Sequence, residues 1–323
     1  MRIYLSSPHR YPGWRFGVAS SAVHDRLARG LAELGHEVRY HLRDTAGEKL
    51  PDGIAPVAGV RGDEDVLHIN HTPVTATPRS GLPWVRSVHS DLLDQGVPRD
   101  RVKPNFIFVS QTMARLHKSA RFVRNGIDPA EFIYSETKGQ CFLFVVSGNI
   151  HKARAYKGLD TAFWIAKQTG IKLVVAGGSG HPPEMAQFGD LCRANGAQFI
   201  GTIHGRRKAE VFTAARALLF PTRMNEAFGL PVAEALMSGT PVIASRRGAM
   251  KELLDPAGGF VCAKKSAYLD AVANLGRIKP ADCRSLALER FHYLDMTRAY
   301  VKEYEREIGD GSQGAKCGNV SAN

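Results

Sequence analysis

Cysteine is scarce and scattered in this 323-residue chain: Cys141, Cys192, Cys262, Cys283 and Cys317, an odd number with no Cys-x-x-Cys pair. That excludes a disulfide framework or a cysteine-built zinc site, and leaves buried or inert thiols. No apolar run approaches the roughly 20 residues a membrane span needs. The densest, residues 141–146, has the length of a strand. No G-x-G-x-x-G follows the first strand, which argues against a dinucleotide oxidoreductase. No metal-ligand motif stands out, so neither a metal nor another cofactor is expected. The opening MRIYLSS starts directly as a strand, with no charge, apolar-core and small-residue pattern before it, so a cytoplasmic location is the expectation. No internal repeat is apparent.

What the chain does have is length enough for two ordinary domains and a net charge of +12. Residues 1–135 hold 18 basic and 14 acidic side chains, and the remainder 25 and 17. Such a surface suits nucleic acid, an anionic membrane or a small polyanion. The basic residues are dispersed, however, and the longest cluster, Arg206-Arg207-Lys208, has no interleaved aromatics. Nucleic acid is therefore not the expected partner. A phosphate-binding site on a generally basic surface is the simpler account, with peripheral contact to the inner membrane surface left open.

Residues 2–6 read as a buried strand. A loop with Gly13 and Gly17 follows, then Val23, Leu27, Leu31 and Leu34 at helical spacing, then a strand over 37–42. This strand-loop-helix-strand opening is the first unit of a doubly wound sheet. Further strands are expected over 65–70, 84–88 and 106–110, with 43–64 weakly structured. A second alternation of strands and helices begins at Cys141. The spacing predicts one amphipathic helical segment over 283–308, and the Gly- and Ser-rich residues 309–323 read as a disordered tail.

Residues 221–248, PTRMNEAFGLPVAEALMSGTPVIASRRG, carry the chemistry. An apolar strand, 217–220, feeds a loop bearing Glu226. Pro231 marks a helix start and Gly239 its end. Free N–H groups at a helix N-terminus attract phosphate. Glu234, in the opening turns, is placed to accept hydrogen bonds from two vicinal ribose hydroxyls, and Glu226 from a sugar. Gly229 lets the backbone approach a ligand. An ordinary strand-loop-helix unit with two solvated acids accounts for the spacing alone equally well.

The phrase NEAFGLPVAEALMSGTPVIAS resembles the Glu-x7-Glu signature of retaining glycosyltransferase family 4. The resemblance implies the GT-B architecture: two Rossmann-like α/β domains facing one another across a cleft. On that pattern residues 1–135 form the acceptor domain and 136–282 the donor domain, with 283–308 crossing back to the first. By resemblance Glu226 contacts the donor sugar and Glu234 the ribose, with Ala227, Phe228, Gly229 and Leu230 completing that side. RNGID at 124–128 resembles the turn before the interdomain linker. Gly17 is the best match to the glycine-rich first loop, where FGV replaces the usual glycine pair. His89, at the end of the 84–88 strand, matches a histidine near the reaction centre, with His68 or His71 as alternatives.

Lys157-Gly158 match the family's diphosphate clamp, but Asn149 stands where an arginine is usual. Arg154 or Lys152 is expected to supply the missing charge, Arg154 by preference. Thr202 and Ile203 follow the strand against which the base lies. The implied activity is retaining transfer of a hexose from a nucleoside diphosphate sugar to an acceptor hydroxyl on a carbohydrate, glycolipid or small molecule, independent of metal. The acceptor would be read by loops 7–20 and 71–83, where His9, Arg10 and Arg15 lie. The alternatives are a nucleotide-sugar epimerase or hydrolase, and a non-catalytic binder of nucleotide-sugars or polyanions. The sequence carries no reading of oligomeric state.

Overall fold

The structure is a computed structural model and describes residues 1–16, 19–70, 77–78 and 80–317. In chain order its strands are β1 (Arg2–Ser6), β2 (Glu37–His41), β3 (Ile54–Pro56), β4 (Val66–Ile69), β5 (Trp84–Val88), β6 (Phe106–Phe108), β7 (Cys141–Ser147), β8 (Lys172–Gly178), β9 (Gln198–Phe199), β10 (Ala217–Phe220), β11 (Val242–Ser245) and β12 (Gly259–Cys262). The helices are α1 (Gly13–Phe16), α2 (Ala19–Glu33), α3 (Gln111–Leu116), α4 (Ile150–Ala155), α5 (Leu159–Thr169), α6 (Pro182–Ala194), α7 (Gly205–Ala214), α8 (Leu230–Met237), α9 (Met250–Leu253), α10 (Lys265–Ala273), α11 (Pro280–Phe291) and α12 (Tyr293–Cys317). They fall into two compact units, Met1–Gly126 with the segment from Tyr293 onward, and Ile127–His292.

Each unit is built on one six-stranded sheet, ordered β3-β2-β1-β4-β5-β6 in the first and β12-β11-β10-β7-β8-β9 in the second. Every strand pairing is parallel. Counted from its own first strand, each sheet therefore has the doubly wound Rossmann order. The chain reverses direction across the sheet between β1 and β4, and again between β7 and β10. Ligands in such folds bind at those reversal points, beyond the carboxyl ends of the strands. The strands β4, β6, β10 and β11 are buried at every position, as a parallel sheet covered on both faces requires. Two doubly wound Rossmann-like α/β units are observed, as expected.

Several boundaries differ from the sequence expectation. The division drawn at residue 135 falls at 126–127, because Ile127 bridges to His292 and residues 129–131 pack on α7 within the second unit. The segment 283–308 is two helices. Extended backbone at His292 separates α11, which packs on α8, from α12, which packs on α2 and β5. Buried Tyr304 and Tyr300 of α12 bond to His68 (2.6 Å) and Ser87 (3.1 Å), which fixes α12 in the first unit. Residues 309–317, expected to be disordered, continue α12. A formed helix adds each further residue with one hydrogen bond and no new nucleation cost. The short edge strand β3 lies inside 43–64, and its exposed Ile-Ala-Pro sequence gives no alternation to read.

Cys192, Cys262 and Cys283 are buried, and desolvation pushes their thiols up to about 11, 12 and 12 respectively. They are inert at neutral pH. An Asp-x-Asp triplet does occur, Asp63-Glu64-Asp65, and its carboxylates serve the fold. Glu64 and Asp63 hold the buried Arg39 of β2 at 3.1 Å, and Asp65 accepts the Arg2 amide at 2.7 Å. No helix among the described residues is long and apolar enough to cross a membrane.

Candidate active site

In the second unit the loop after β10 runs from Pro221 to α8 and is pinned on both sides. Tyr156 O accepts the Arg223 N–H at 2.8 Å, and Glu226 O accepts the Ala249 N–H at 2.9 Å. Gly248, at φ +54°, lies so close that a Cβ there would meet the Glu226 carbonyl oxygen at 2.2 Å. Gly158, at φ +80°, is likewise closed against Pro221 O at 2.1 Å. Both glycines are required by the approach of a second backbone, and together they fix where Glu226 sits.

Glu226 is half-buried and accepts a 2.6 Å hydrogen bond from Lys157 Nζ. Glu234, on α8, is buried and accepts one of 2.5 Å from Lys208 Nζ. Each acid thus carries a lysine from another loop or helix. Gly229 is the N-cap of α8, in left-handed conformation at φ 93°, with no side chain capping the helix. Its N-terminal amides and the two acid–lysine pairs lie on segments leading from the β7–β10 reversal point. Ala227 and Phe228 are buried and anchor the loop, with Phe228 edge-on to Phe291 at 5.6 Å. Leu230 is the first residue of α8.

The remaining donor candidates are placed less uniformly. Asn149 follows β7 and caps α4, its Oδ1 accepting the Lys152 N–H at 2.8 Å. An arginine would forgo that cap, which gives the departure from the family pattern a local structural cause. Arg154 is exposed and paired with Asp160 at 2.9 Å, so it is not joined to Lys157 or Glu226. Lys152 is exposed. Thr202, exposed, and Ile203, buried, follow the edge strand β9. Lys208 was read only as part of a basic cluster. Its pairing with Glu234 joins residues 26 apart in sequence, and no local pattern announces it.

His89 belongs to the first unit, where it lines a cavity of about 410 Å³ at the ends of β1, β4 and β5, with Ser7, His9, Asn70 and Arg86. His9 lies 3.1 Å from Ser7 Oγ and 3.0 Å from Asp25, and Tyr40 donates to the same carboxylate at 2.8 Å. Arg10 pairs with Asp44 (2.9 Å) and Arg15 with Glu48 (3.6 Å). His68 is fully buried between Ser87 and Tyr304, which removes it as the alternative to His89 for contact with a ligand. Gly17 and His71 lie outside the described residues.

Burial, with His68 alongside, pushes the His89 imidazole down to about 3, and its Nε2 has no partner among the described residues. Burial likewise holds His24 and His68 well below 6.5. All three are neutral when folded and protonate in the unfolded chain below about pH 6.5. The unfolded state then binds more protons, so stability falls as pH drops from 6.5 toward 3, by about 1.4 kcal/mol per pH unit for each histidine. The thermal midpoint recorded by circular dichroism is expected to be flat from pH 8 to 7 and to fall steeply between 6 and 5. An unchanged midpoint over that range contradicts the neutral assignment.

Comparison with known proteins agrees with the fold. Residues 131–278 match the family described as glycosyl transferases group 1. The chain is 25% identical to the phosphatidyl-myo-inositol mannosyltransferase of Mycolicibacterium smegmatis, across 96% of this chain and 95% of the relative. Over 97 residues, 28% of this chain and 23% of the relative, it is 36% identical to the D-inositol 3-phosphate glycosyltransferase of Xylanimonas cellulosilytica. Among solved structures, AviGT4, a glycosyltransferase involved in avilamycin A biosynthesis, superposes with a TM-score of 0.77 at 22% identity, covering 96% of this chain and 98% of that one. Anabaena HepE in complex with UDP-glucose superposes with a TM-score of 0.69 at 12% identity, covering 95% and 100%.

Two doubly wound units of this order are the fold of those solved structures. The likeness to glycosyl transferases group 1 lies in residues 131–278.

Proposed function

We propose that the protein transfers a hexose from a nucleoside diphosphate sugar to an acceptor hydroxyl, with retention at the anomeric carbon and without a metal. The observation that carries this reading is the pair of lysine-held acids, Glu226 and Glu234, flanking the uncapped start of α8. Phosphate takes the α8 amides, vicinal ribose hydroxyls donate to Glu234, and sugar hydroxyls donate to Glu226. Lys157 moves from Glu226 to the diphosphate, whose charge grows as the bond from C1 to the phosphate oxygen breaks. The acceptor oxygen bonds to C1 on the face the diphosphate leaves. Its proton passes to a leaving phosphate oxygen, and the nucleoside diphosphate departs. Binding of UDP-glucose by the HepE neighbour supports the donor class.

In this reading the first unit presents the acceptor. The His89 cavity is the candidate surface, with neutral His89 and the Asp25-oriented His9 as hydrogen-bonding groups. A non-catalytic binder is favoured by one observation, the use of Asn149 as a helix cap where the family clamps phosphate. The readings separate when the protein is incubated with a panel of nucleotide-sugars and nucleotide release is followed. Release that requires an acceptor, with a product of unchanged anomeric configuration by NMR, is the expected result. Acceptor-independent release means hydrolysis, and binding without release means a binder.

A further inference from the structure

The second unit holds another crevice, on the β12 side of its reversal point. It has a volume of about 220 Å³ and is lined by the segments that leave β10, β11 and β12. Five cations face it: Arg223 after β10, Arg246 and Arg247 after β11, and Lys264 and Lys265 after β12. No carboxylate is among its lining residues, and none of the five makes an ion pair among the described residues. Elsewhere in this unit Lys157, Lys208, Arg154 and Arg290 each have an acid within 2.9 Å. Unpaired like charges gathered in a cavity repel one another, and an anion placed among them relieves the repulsion.

The wall of the crevice is also fixed. Ser245 donates to Thr222 O at 2.6 Å and Thr222 to Tyr156 O at 3.2 Å, tying the ends of β10 and β11 together. Tyr268 closes the floor, buried on α10. Lys264 is the N-cap of α10 and makes no side-chain cap, so the helix's first amides lie uncapped beside the cations. Lys265 rests over the Trp164 ring at 5.2 Å, and Arg223 lies 3.5 Å from the Thr161 hydroxyl. These contacts give two of the long side chains a defined position before any ligand arrives.

We propose that this crevice is a binding site for a phosphate-bearing polyanion, separate from the donor seat at α8. Its arginines offer paired N–H groups that match phosphate oxygens, and its lysines add point charge. The same chemistry is presented by a soluble oligophosphate and by the phosphate of a lipid headgroup at a membrane surface.

The probes are inorganic tripolyphosphate, and phosphatidylcholine vesicles with and without phosphatidic acid. The full chain is compared with Lys157→Ala and with the triple variant Arg246→Ala, Arg247→Ala, Lys264→Ala, whose replaced side chains are exposed. Calorimetry is expected to find a tripolyphosphate that survives Lys157→Ala and binds at least about tenfold more weakly to the triple variant. Sedimentation with phosphatidic acid vesicles, lost in the triple variant and displaced by tripolyphosphate, assigns the lipid source. Tripolyphosphate binding with no sedimentation assigns a soluble one. Equal binding by the wild type and the triple variant, loss on Lys157→Ala alone, or no binding by the wild type overturns the proposal. A matching circular dichroism melt confirms that the triple variant is folded.

Discussion

Glutamine in place of Glu226 lowers turnover by about 10²-fold or more, while the donor KM does not rise. The loop that carries Glu226 is held by backbone contacts to Ala249 and Gly248, none of which involves the carboxylate. The amide therefore occupies the same place and only the charge is lost. A charged acceptor of sugar hydroxyl bonds is worth about 1.5–3 kcal/mol, and its value grows as positive charge develops at C1. Lys157 loses its partner of 2.6 Å and is left free for the diphosphate, so nucleotide binding holds or tightens. Steady-state kinetics with the preferred donor measures this. Wild-type turnover contradicts the role given to Glu226.

Alanine at Lys157 has the larger and different effect. It lowers kcat by about 10²–10³-fold, because the leaving diphosphate loses its nearest cation. It also leaves Glu226 half-buried and unpaired beside the position of the phosphates, so donor binding weakens by roughly tenfold in addition. The two variants are thus separated by their KM: unchanged or lower for Glu226→Gln, raised for Lys157→Ala. Arginine at the same position restores charge but not the compact reach of an ammonium, and recovers binding before turnover. Identical KM shifts for both variants would remove the exchange of Lys157 between acid and phosphate from the mechanism.

How much of this was legible depends on whether the information is local. The Pro231 and Gly239 punctuation of α8 and the apolar run into it are local, so the strand, loop and helix around Glu226 and Glu234 were readable directly. The two sheets followed from apolar strands such as 217–220 and 106–110, whose burial on both faces leaves an uninterrupted pattern. Lys208 was not readable as Glu234's partner, because only the packing of α7 beside α8 brings them together. Nor was the helix break at His292, where α11 and α12 share one continuous helical periodicity but pack within different units. Asn149 carries a second readable signal. Asparagine ahead of a helix is a strong cap, and Asn149 caps α4. The carboxylates of Asp63 and Glu64 were accounted for only when the buried Arg39 came into view.

The most direct test of the account is calorimetric binding of a nucleoside diphosphate and of its sugar conjugate to Glu226→Gln and Glu234→Gln. Glu234→Gln is predicted to weaken both ligands equally, by about tenfold, since both carry the ribose. Glu226→Gln is predicted to weaken neither ligand, because the freed Lys157 offsets the lost sugar contact. Equal weakening of both ligands by Glu226→Gln would contradict the division of the donor between the two glutamates.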